Sequence, residues 1–215
     1  MPHPTLVPSA KSVHGTLAFT MSEPAWDIAT LFPLQGAWSE EEYLDLADQH
    51  RRVEFNNGVI EVLPVPTRIH QNVLKFLLWL LDAYVARVGG ITSFAGTRLK
   101  LPENKYREPD LLFATKEHAH FETEELWTGA DLVMEIVSGS VSDHERDSVT
   151  KREDYARGEV AEYWIVDPER KTILVLVLRG NLYVEHGTFS PGARVTSPTF
   201  AGFTVDVTAV FEAQR

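Results

Sequence analysis

The chain of 215 residues contains no cysteine, which excludes disulfides, thiolate metal sites and a cysteine nucleophile. Long apolar runs are also absent: the stretch 173–178 has six residues, whereas a helix needs roughly 20 to cross a bilayer. The N-terminus has no basic segment followed by an apolar one, which is the pattern of a signal peptide. We therefore expect a cytoplasmic protein with no membrane segment.

Basic residues are scarce, with 20 Lys and Arg against 31 Asp and Glu, so the net charge is −11. This balance argues against a nucleic-acid binder, because such proteins usually present a basic patch. A total charge does not exclude a local basic groove on an acidic exterior. The hydrophobic fraction of 44% and the charged fraction of 24% are those of an ordinary globular domain.

Prolines interrupt the first 38 residues, which predicts an irregular arm over 1–38 and one domain over 39–215. Ser39 and Glu42 have the spacing of a capping box and predict the start of a helix. Two β-type runs flank Asn57-Gly58 and predict a hairpin. Apolar residues at three- and four-residue spacing over 67–88 predict a long helix.

The rest of the chain alternates between β-type and helical patterns. The predicted elements are strands at 91–94, 97–101, 109–114, 131–137, 162–167, 172–178 and 182–186, a polar helix at 143–157, and a last strand or short helix near 203–212. This order predicts an α/β (α+β) fold, in which helices flank a mixed β-sheet and a hairpin comes first.

Acidic residues occur where a core would not favour them. Glu135 interrupts the apolar run 132–137, which is typical of a strand buried on both faces. An ionised carboxylate there costs several kcal/mol unless it is paired or binds a metal. The alternative is an edge strand whose glutamate points to solvent. Asp110 follows Pro109 at a strand entry, where aspartate is common for purely structural reasons.

If Asp110 lies beside Glu135 on an adjacent strand, the two carboxylates repel each other unless a cation lies between them. Hard oxygen ligands of this kind select Mg²⁺, Mn²⁺ or Ca²⁺ over zinc. Glu54 and Glu61 face each other if Asn57-Gly58 forms a two-residue turn, which again requires a cation. The alternatives are a wider turn, or side chains that both point to solvent.

The polar helix at 143–157 has few apolar positions and cannot dock through a wide apolar stripe. Asp147, Lys151 and Tyr155 recur at four-residue spacing and share one face. The helix follows the Glu135 strand, so this face could lay Lys151 over that strand. The alternative is a solvated face with an ion pair along the helix.

These motifs, in this order and spacing, resemble the Uma family (Uma-two type) of restriction endonucleases, which belongs to the PD-(D/E)xK nuclease superfamily. The resemblance covers roughly residues 39–211. It rests on Pro109-Asp110, Glu135-Ile-Val-Ser138 and Asp147-x₃-Lys151-x₃-Tyr155-x₂-Gly158-x₃-Glu162, supported by Glu54, His70-Gln71 and Gly202-Phe203.

The resemblance implies a restriction-endonuclease-like core in which Asp110, Glu135 and Lys151 are catalytic. Asp110 and Glu135 would hold Mg²⁺ (or Mn²⁺), with Glu54 as an extra ligand through water. The superfamily pattern has its lysine two residues after the acid, where this chain has Val137, so Lys151 would replace it. His70 would contact phosphate or simply cap its helix.

The function implied is a metal-dependent endonuclease that hydrolyses phosphodiester bonds in DNA. A homodimer is expected by analogy alone, because cutting both strands of a duplex needs two sites. The alternative function is a catalytically inactive nuclease-fold module for binding or assembly. The net charge of −11 and the valine at position 137 favour this alternative.

Overall fold

The structure, a computed structural model, describes residues 33–48, 52–137 and 149–213. The elements in chain order are α1 (Glu40–Asp48), β1 (Val53–Asn56), β2 (Val59–Val62), α2 (Arg68–Val88), β3 (Ile91–Phe94), β4 (Leu99–Leu101), β5 (Lys105–Arg107), β6 (Leu111–Ala114), a 3-10 helix (Lys116–Phe121), β7 (Leu132–Ile136), α3 (Lys151–Arg157), β8 (Glu162–Asp167), β9 (Thr172–Arg179), β10 (Leu182–Phe189), β11 (Arg194–Thr196), β12 (Thr204–Asp206) and α4 (Val207–Glu212).

The largest sheet has six strands in the order β10-β9-β8-β7-β6-β3. Only β7 and β8 pair in parallel, and the other neighbours are antiparallel. A parallel pair needs a crossover connection, and α3 lies within the one between β7 and β8. The predicted mixed sheet flanked by helices is therefore confirmed, with β7 as a central strand between β6 and β8.

Helix α2 covers one face of this sheet. Val73, Leu77 and Leu81 recur every four residues along it and are buried against strand residues of the first core cluster. The helix begins at Thr67, whose side chain accepts a hydrogen bond from the His70 N–H, and it ends at Gly89 with a φ of 82°. The long predicted helix is therefore present with nearly the predicted bounds.

Side chains along β7 point alternately to the two faces of the sheet. Met134 and Ile136 belong to the core under α2, whereas Val133 and Val137 belong to the second core, which includes residues of α3. Glu135 has the same parity as Val133 and Val137 and therefore lies on the α3 side. Strand alternation thus aims this carboxylate at the polar helix.

A second, antiparallel sheet has the order β2-β1-β5-β4 and contains the predicted hairpin. The β1–β2 register pairs Asn56 with Val59 and Glu54 with Glu61, as the two-residue turn predicts. Asn57 and Gly58 have φ angles of 44° and 92°, which suit the turns that join tightly paired strands. The Gly36 N–H donates to the Gly58 carbonyl at 2.7 Å, so the preceding chain packs on this turn.

Helix α1 begins at the predicted capping box. The Glu42 carboxylate accepts from the Ser39 N–H at 2.8 Å, and the Ser39 hydroxyl accepts from the Glu42 N–H at 3.2 Å. Tyr43 on this helix stacks on Phe55 of β1 with a ring-centroid distance of 5.0 Å. The helix and the hairpin therefore form one small core around buried aromatic rings.

Several element bounds differ from the sequence prediction. Strands β5 and β11 were not predicted, because three residues are too few to establish an alternating pattern. Strand β10 runs on to Phe189 through an irregularity between Glu185 and Gly187, which breaks the alternation. The described part of the predicted polar helix starts at Lys151, and positions 143–148 lie outside the described residues.

Across the described ranges, no helix combines the length and the apolar character that crossing a bilayer requires.

The contact at the hairpin turn predicts an unequal effect of two glycine substitutions. A Cβ on Gly58 would lie 2.7 Å from the Gly36 carbonyl oxygen, whereas one on Gly180, in the β9–β10 turn, meets nothing within 4 Å. Both residues have positive φ, so both substitutions cost backbone strain. We expect Gly58→Ala to lower the free energy of unfolding by at least about 1 kcal/mol more than Gly180→Ala, because only the first adds a clash. Urea unfolding measures both, and equal costs would contradict the packing described for this turn.

Candidate active site

The Glu135 carboxylate lies in the middle of the six-stranded sheet and is 4% exposed. The alternative of an edge strand with a solvent-facing glutamate is therefore wrong. Its Oε1 accepts a hydrogen bond from Lys151 Nζ at 2.7 Å and another from the Tyr155 hydroxyl at 2.6 Å. Both donors come from one face of α3, where the polar helix was expected to carry them.

The Lys151 ammonium group contacts a second carboxylate as well. Its Nζ lies 3.3 Å from Oε1 of Glu54 on β1, and both side chains are almost completely buried. Lys151 therefore lies between an acid of the four-stranded sheet and an acid of the six-stranded sheet. The alternative of a solvated helix face is wrong for Lys151 and Tyr155, and Asp147 lies outside the described residues.

The cation that the facing Glu54 and Glu61 require is Arg107 on β5. Its Nη1 donates to Glu54 Oε2 at 2.9 Å and to Glu61 Oε2 at 3.2 Å. Its Nε and Nη2 donate to Asp154 Oδ2 on α3 at 3.1 and 2.7 Å. Burial alone would lower the pKa of Arg107, but Glu54 and Asp154 outweigh it and raise the pKa above its ordinary value. The wider turn and the solvent-facing glutamates are therefore both wrong.

Asp110 directly precedes β6, which pairs with β7 so that Leu111 faces Met134. Continuing this antiparallel register sets Asp110 opposite Glu135, where side chains on neighbouring strands come within roughly 5 Å. Asp110 is 5% exposed, and its Oδ2 accepts a hydrogen bond from the Ile136 N–H at 2.7 Å. The two acids therefore meet at one end of the central strands.

His70 orients the Asp110 carboxylate. Its Nε2 lies 3.0 Å from Asp110 Oδ2, while its backbone N–H is capped by the Thr67 side chain. The alternative in which the His70 side chain merely caps the helix is therefore wrong. The partner could not be read from the sequence, because the two residues are 40 positions apart.

Tyr155 remains protonated where it meets Glu135. Burial, and after it the Glu135 carboxylate, raises the pKa of Tyr155 well above its usual value. The phenol is therefore a donor to Glu135 Oε1 across the pH range in which proteins are folded. Together with Lys151 it fixes the position of this carboxylate.

Glu108 is a further acid of the site that the sequence analysis missed. It is 6% exposed, its N–H donates to Glu54 Oε1 at 3.0 Å, and its carboxyl lines the same cavity as Asp110 and Glu135. Burial, and after it the charge of Glu54, raises the pKa of Glu108 to about 7. Its place two residues before Asp110 was the available signal, but the proline between them obscured the strand alternation.

A small cavity of about 40 Å³ brings these side chains together. Its lining includes Glu108, Asp110, Glu135, Lys151 and His70. A buried water needs at least roughly 10–15 Å³ of such space, so the cavity has room for a few waters or a small ion with its bound water. A nucleotide does not fit inside, so a phosphate group would have to approach from the mouth of the cavity.

The donor atoms suit a hard divalent cation. Among residues 33–48, 52–137 and 149–213, no three His, Asp or Glu side chains are grouped closely enough to hold a metal ion by themselves. Mg²⁺ does not need such a cage, because it usually keeps several waters and takes one or two carboxylates together with substrate phosphates. The paired carboxylates of Asp110 and Glu135 therefore fit Mg²⁺ or Mn²⁺.

Comparison with solved structures finds proteins of the same fold. It resembles the crystal structure of a "putative nuclease belonging to DUF820" from Anabaena variabilis ATCC 29413, with a TM-score of 0.67 and 19% sequence identity. The match covers 83% of this chain and 99% of the other. At this identity the likeness concerns the fold alone.

The family model Uma2, described as "Putative restriction endonuclease", matches residues 40–208, which is most of the chain. The protein therefore belongs to the Uma2 family, as the sequence motifs indicated. No curated protein matches the chain.

The ion pairs around Arg107 predict a large loss of stability when it is replaced. Arg107→Met leaves the buried carboxylates of Glu54 and Asp154 without their main cation, which costs about 3–5 kcal/mol. Arg98→Met is the matched control, because Arg98 pairs with Asp48, whose side chain is 64% exposed, and such a pair contributes at most about 1 kcal/mol. Chemical unfolding measures both, and similar losses would show that the buried network does not hold the site together.

Proposed function

We propose that the chain is a metal-dependent endonuclease that hydrolyses phosphodiester bonds in DNA. Membership of a restriction endonuclease family and a nuclease-like fold support a hydrolase of this class. The observation that carries the proposal is the grouping of Asp110, Glu135 and Lys151 around one cavity, all three almost completely buried. Charged groups buried together in a cleft are candidates for a functional site.

In this proposal Asp110 and Glu135 are the residues that hold Mg²⁺ or Mn²⁺. The bound cation supplies a water of lowered pKa and neutralises charge on the phosphate. His70 and the Ile136 N–H keep Asp110 Oδ2 in place, while Tyr155 and Lys151 do the same for Glu135 Oε1. Each ligand carboxylate therefore has one oxygen fixed by the protein, which preorganises the site before substrate binds.

Lys151 has the role of the lysine in the superfamily pattern. Its ammonium lines the cavity beside Glu135, where it orients the attacking water and stabilises the negative charge that develops on the phosphate. Glu54 holds the other side of the ammonium group. Because both oxygens of Glu54 already accept protein hydrogen bonds, its contacts favour positioning Lys151 over binding the metal directly.

The net charge of −11 repels the negative phosphates of a nucleic-acid substrate. Arg52 and Lys151 line the cavity, so basic groups are present at the site although acids outnumber them there. We therefore expect binding to weaken only modestly as salt concentration rises, because few basic groups neutralise the phosphates. A homodimer and a cytoplasmic location stay predictions from the sequence.

Replacing either proposed metal ligand tests the function directly. With supercoiled plasmid DNA and Mg²⁺ or Mn²⁺, we expect the wild-type protein to nick the DNA, and Asp110→Asn or Glu135→Gln to lower the rate at least about a hundredfold. Asp131→Asn is the matched control, because Asp131 is a buried acid that precedes the other end of β7 and pairs with His118. Undiminished cleavage by either variant would overturn the assignment, and cleavage of RNA but not DNA would overturn the proposed substrate.

Lys151→Met separates catalysis from metal binding. We expect a loss of about 10²–10³-fold in cleavage rate, because a preorganised charge at the phosphate is gone. The variant also loses stability with its buried ion pair, so Mn²⁺ affinity is measured by calorimetry on protein that circular dichroism shows to be folded, and it should be retained. Lys100→Met removes the same charge from the surface of β4, where Lys100 pairs with Glu40, and should leave cleavage unchanged. Wild-type protein that binds Mn²⁺ yet cleaves no nucleic acid would favour the inactive binding module instead.

A further inference from the structure

Three buried carboxylates away from the cavity have hydrogen-bond donors on both oxygens. Asp131 accepts from the Thr115 N–H and pairs with His118, Asp154 accepts from Lys105 and Arg107, and Glu162 accepts from Trp164 and Ser197. This is the usual condition for a carboxylate in a protein interior, because a buried oxygen without a partner costs free energy.

Glu108 departs from this pattern. Its carboxyl accepts a hydrogen bond from the backbone of Val53, but its Oε2 is buried and has no hydrogen-bond partner anywhere in the described ranges. The side chain is as buried as Asp131 or Glu162 and lines the cavity that Asp110 and Glu135 also line. A water or an ion in this cavity is therefore the candidate partner for Oε2.

The charges around the cavity indicate what that partner is. Three acids, Glu108, Asp110 and Glu135, line the cavity against two basic groups, Arg52 and Lys151, and Glu54 also contacts the Lys151 ammonium. Carboxylates around one small cavity repel each other, and a divalent cation with its bound water would offset this repulsion and give Oε2 a partner. Pro109 fixes the backbone between Glu108 and Asp110, so both acids approach the cavity from a rigid segment.

We propose that Glu108 is a third acidic member of the cation site and contacts the hydrated cation through Oε2. This inference rests on the proposed metal-dependent function, and it assigns a role to a residue outside the Asp110, Glu135 and Lys151 set. Removing a group that hydrogen-bonds to the ligands or bound waters of a metal typically lowers metal affinity about 10–100-fold. Glu108 is thereby distinguished from Glu54, whose oxygens are occupied by protein donors.

Calorimetric titration with Mn²⁺ tests the proposal on the full chain. We expect Glu108→Gln, which keeps the shape of the side chain, to weaken Mn²⁺ binding about tenfold or more. Glu117→Gln is the control, since it removes the same charge from an exposed position on the 3-10 helix and should bind Mn²⁺ like the wild type. Thermal unfolding with and without Mn²⁺ gives an independent readout, in which Mn²⁺ should raise the Tm of Glu108→Gln less than that of the wild type.

The outcomes distinguish a failure of this inference from a failure of the proposed function on which it rests. If the wild type binds Mn²⁺ and Glu108→Gln binds it equally well, the role of Glu108 is overturned while the metal-dependent nuclease stands. If the wild type binds no Mn²⁺, both fail together. A metal-free Glu108→Gln protein whose Tm matches the wild type ensures that weaker binding reflects the lost contact and not a lost fold.

Discussion

The position of one ammonium group between two buried carboxylates holds the site together. Lys151 contacts Glu135 in the centre of the six-stranded sheet and Glu54 in the four-stranded sheet. Removing one partner of such a buried ion pair typically costs about 3–5 kcal/mol of stability. The two acids belong to different sheets. The contacts of Lys151 therefore offset the cost of burying both carboxylates and also fix one sheet relative to the other.

Helix α3 docks largely through charge. Lys151 and Asp154 are buried on it beside Tyr155 and Ala156, so polar and apolar side chains share its inner face. Asp154 accepts hydrogen bonds from Arg107, and Arg107 also donates to Glu54. Lys151 contacts Glu54 as well, so Glu54 is linked to two residues of the same helix, directly to Lys151 and through Arg107 to Asp154. Ion pairs thus hold a helix that has few apolar positions, and they lie next to the proposed active site. The same contacts therefore determine both the stability of the helix and the geometry of the site.

The sequence predicted those parts of the fold and site that depend on local patterns. Periodicity gave α2 and most strands, and Asn57-Gly58 gave the register that sets Glu54 against Glu61. The apolar run around Glu135 correctly indicated a central strand, because a lone charge there needs a partner. Partners far apart in the chain escaped prediction: Arg107 lies in a three-residue strand with no pattern of its own, and the His70–Asp110 contact depends on how α2 crosses the sheet. Glu108 was missed for the same reason, since its environment is created only by tertiary packing.

Val137 occupies the position where the superfamily pattern has its lysine, and it is buried in the core beneath α3. In this chain the amine that contacts Glu135 comes from the next helix. The contact requires Lys151 to lie beside Glu135 in space, but it does not require a particular number of residues between them. A different number of residues between strand and helix is therefore compatible with the same contact between Lys151 and Glu135. A search for relatives that demands a constant acid-to-lysine interval would therefore overlook chains built like this one, whereas a search on spatial arrangement would recover them.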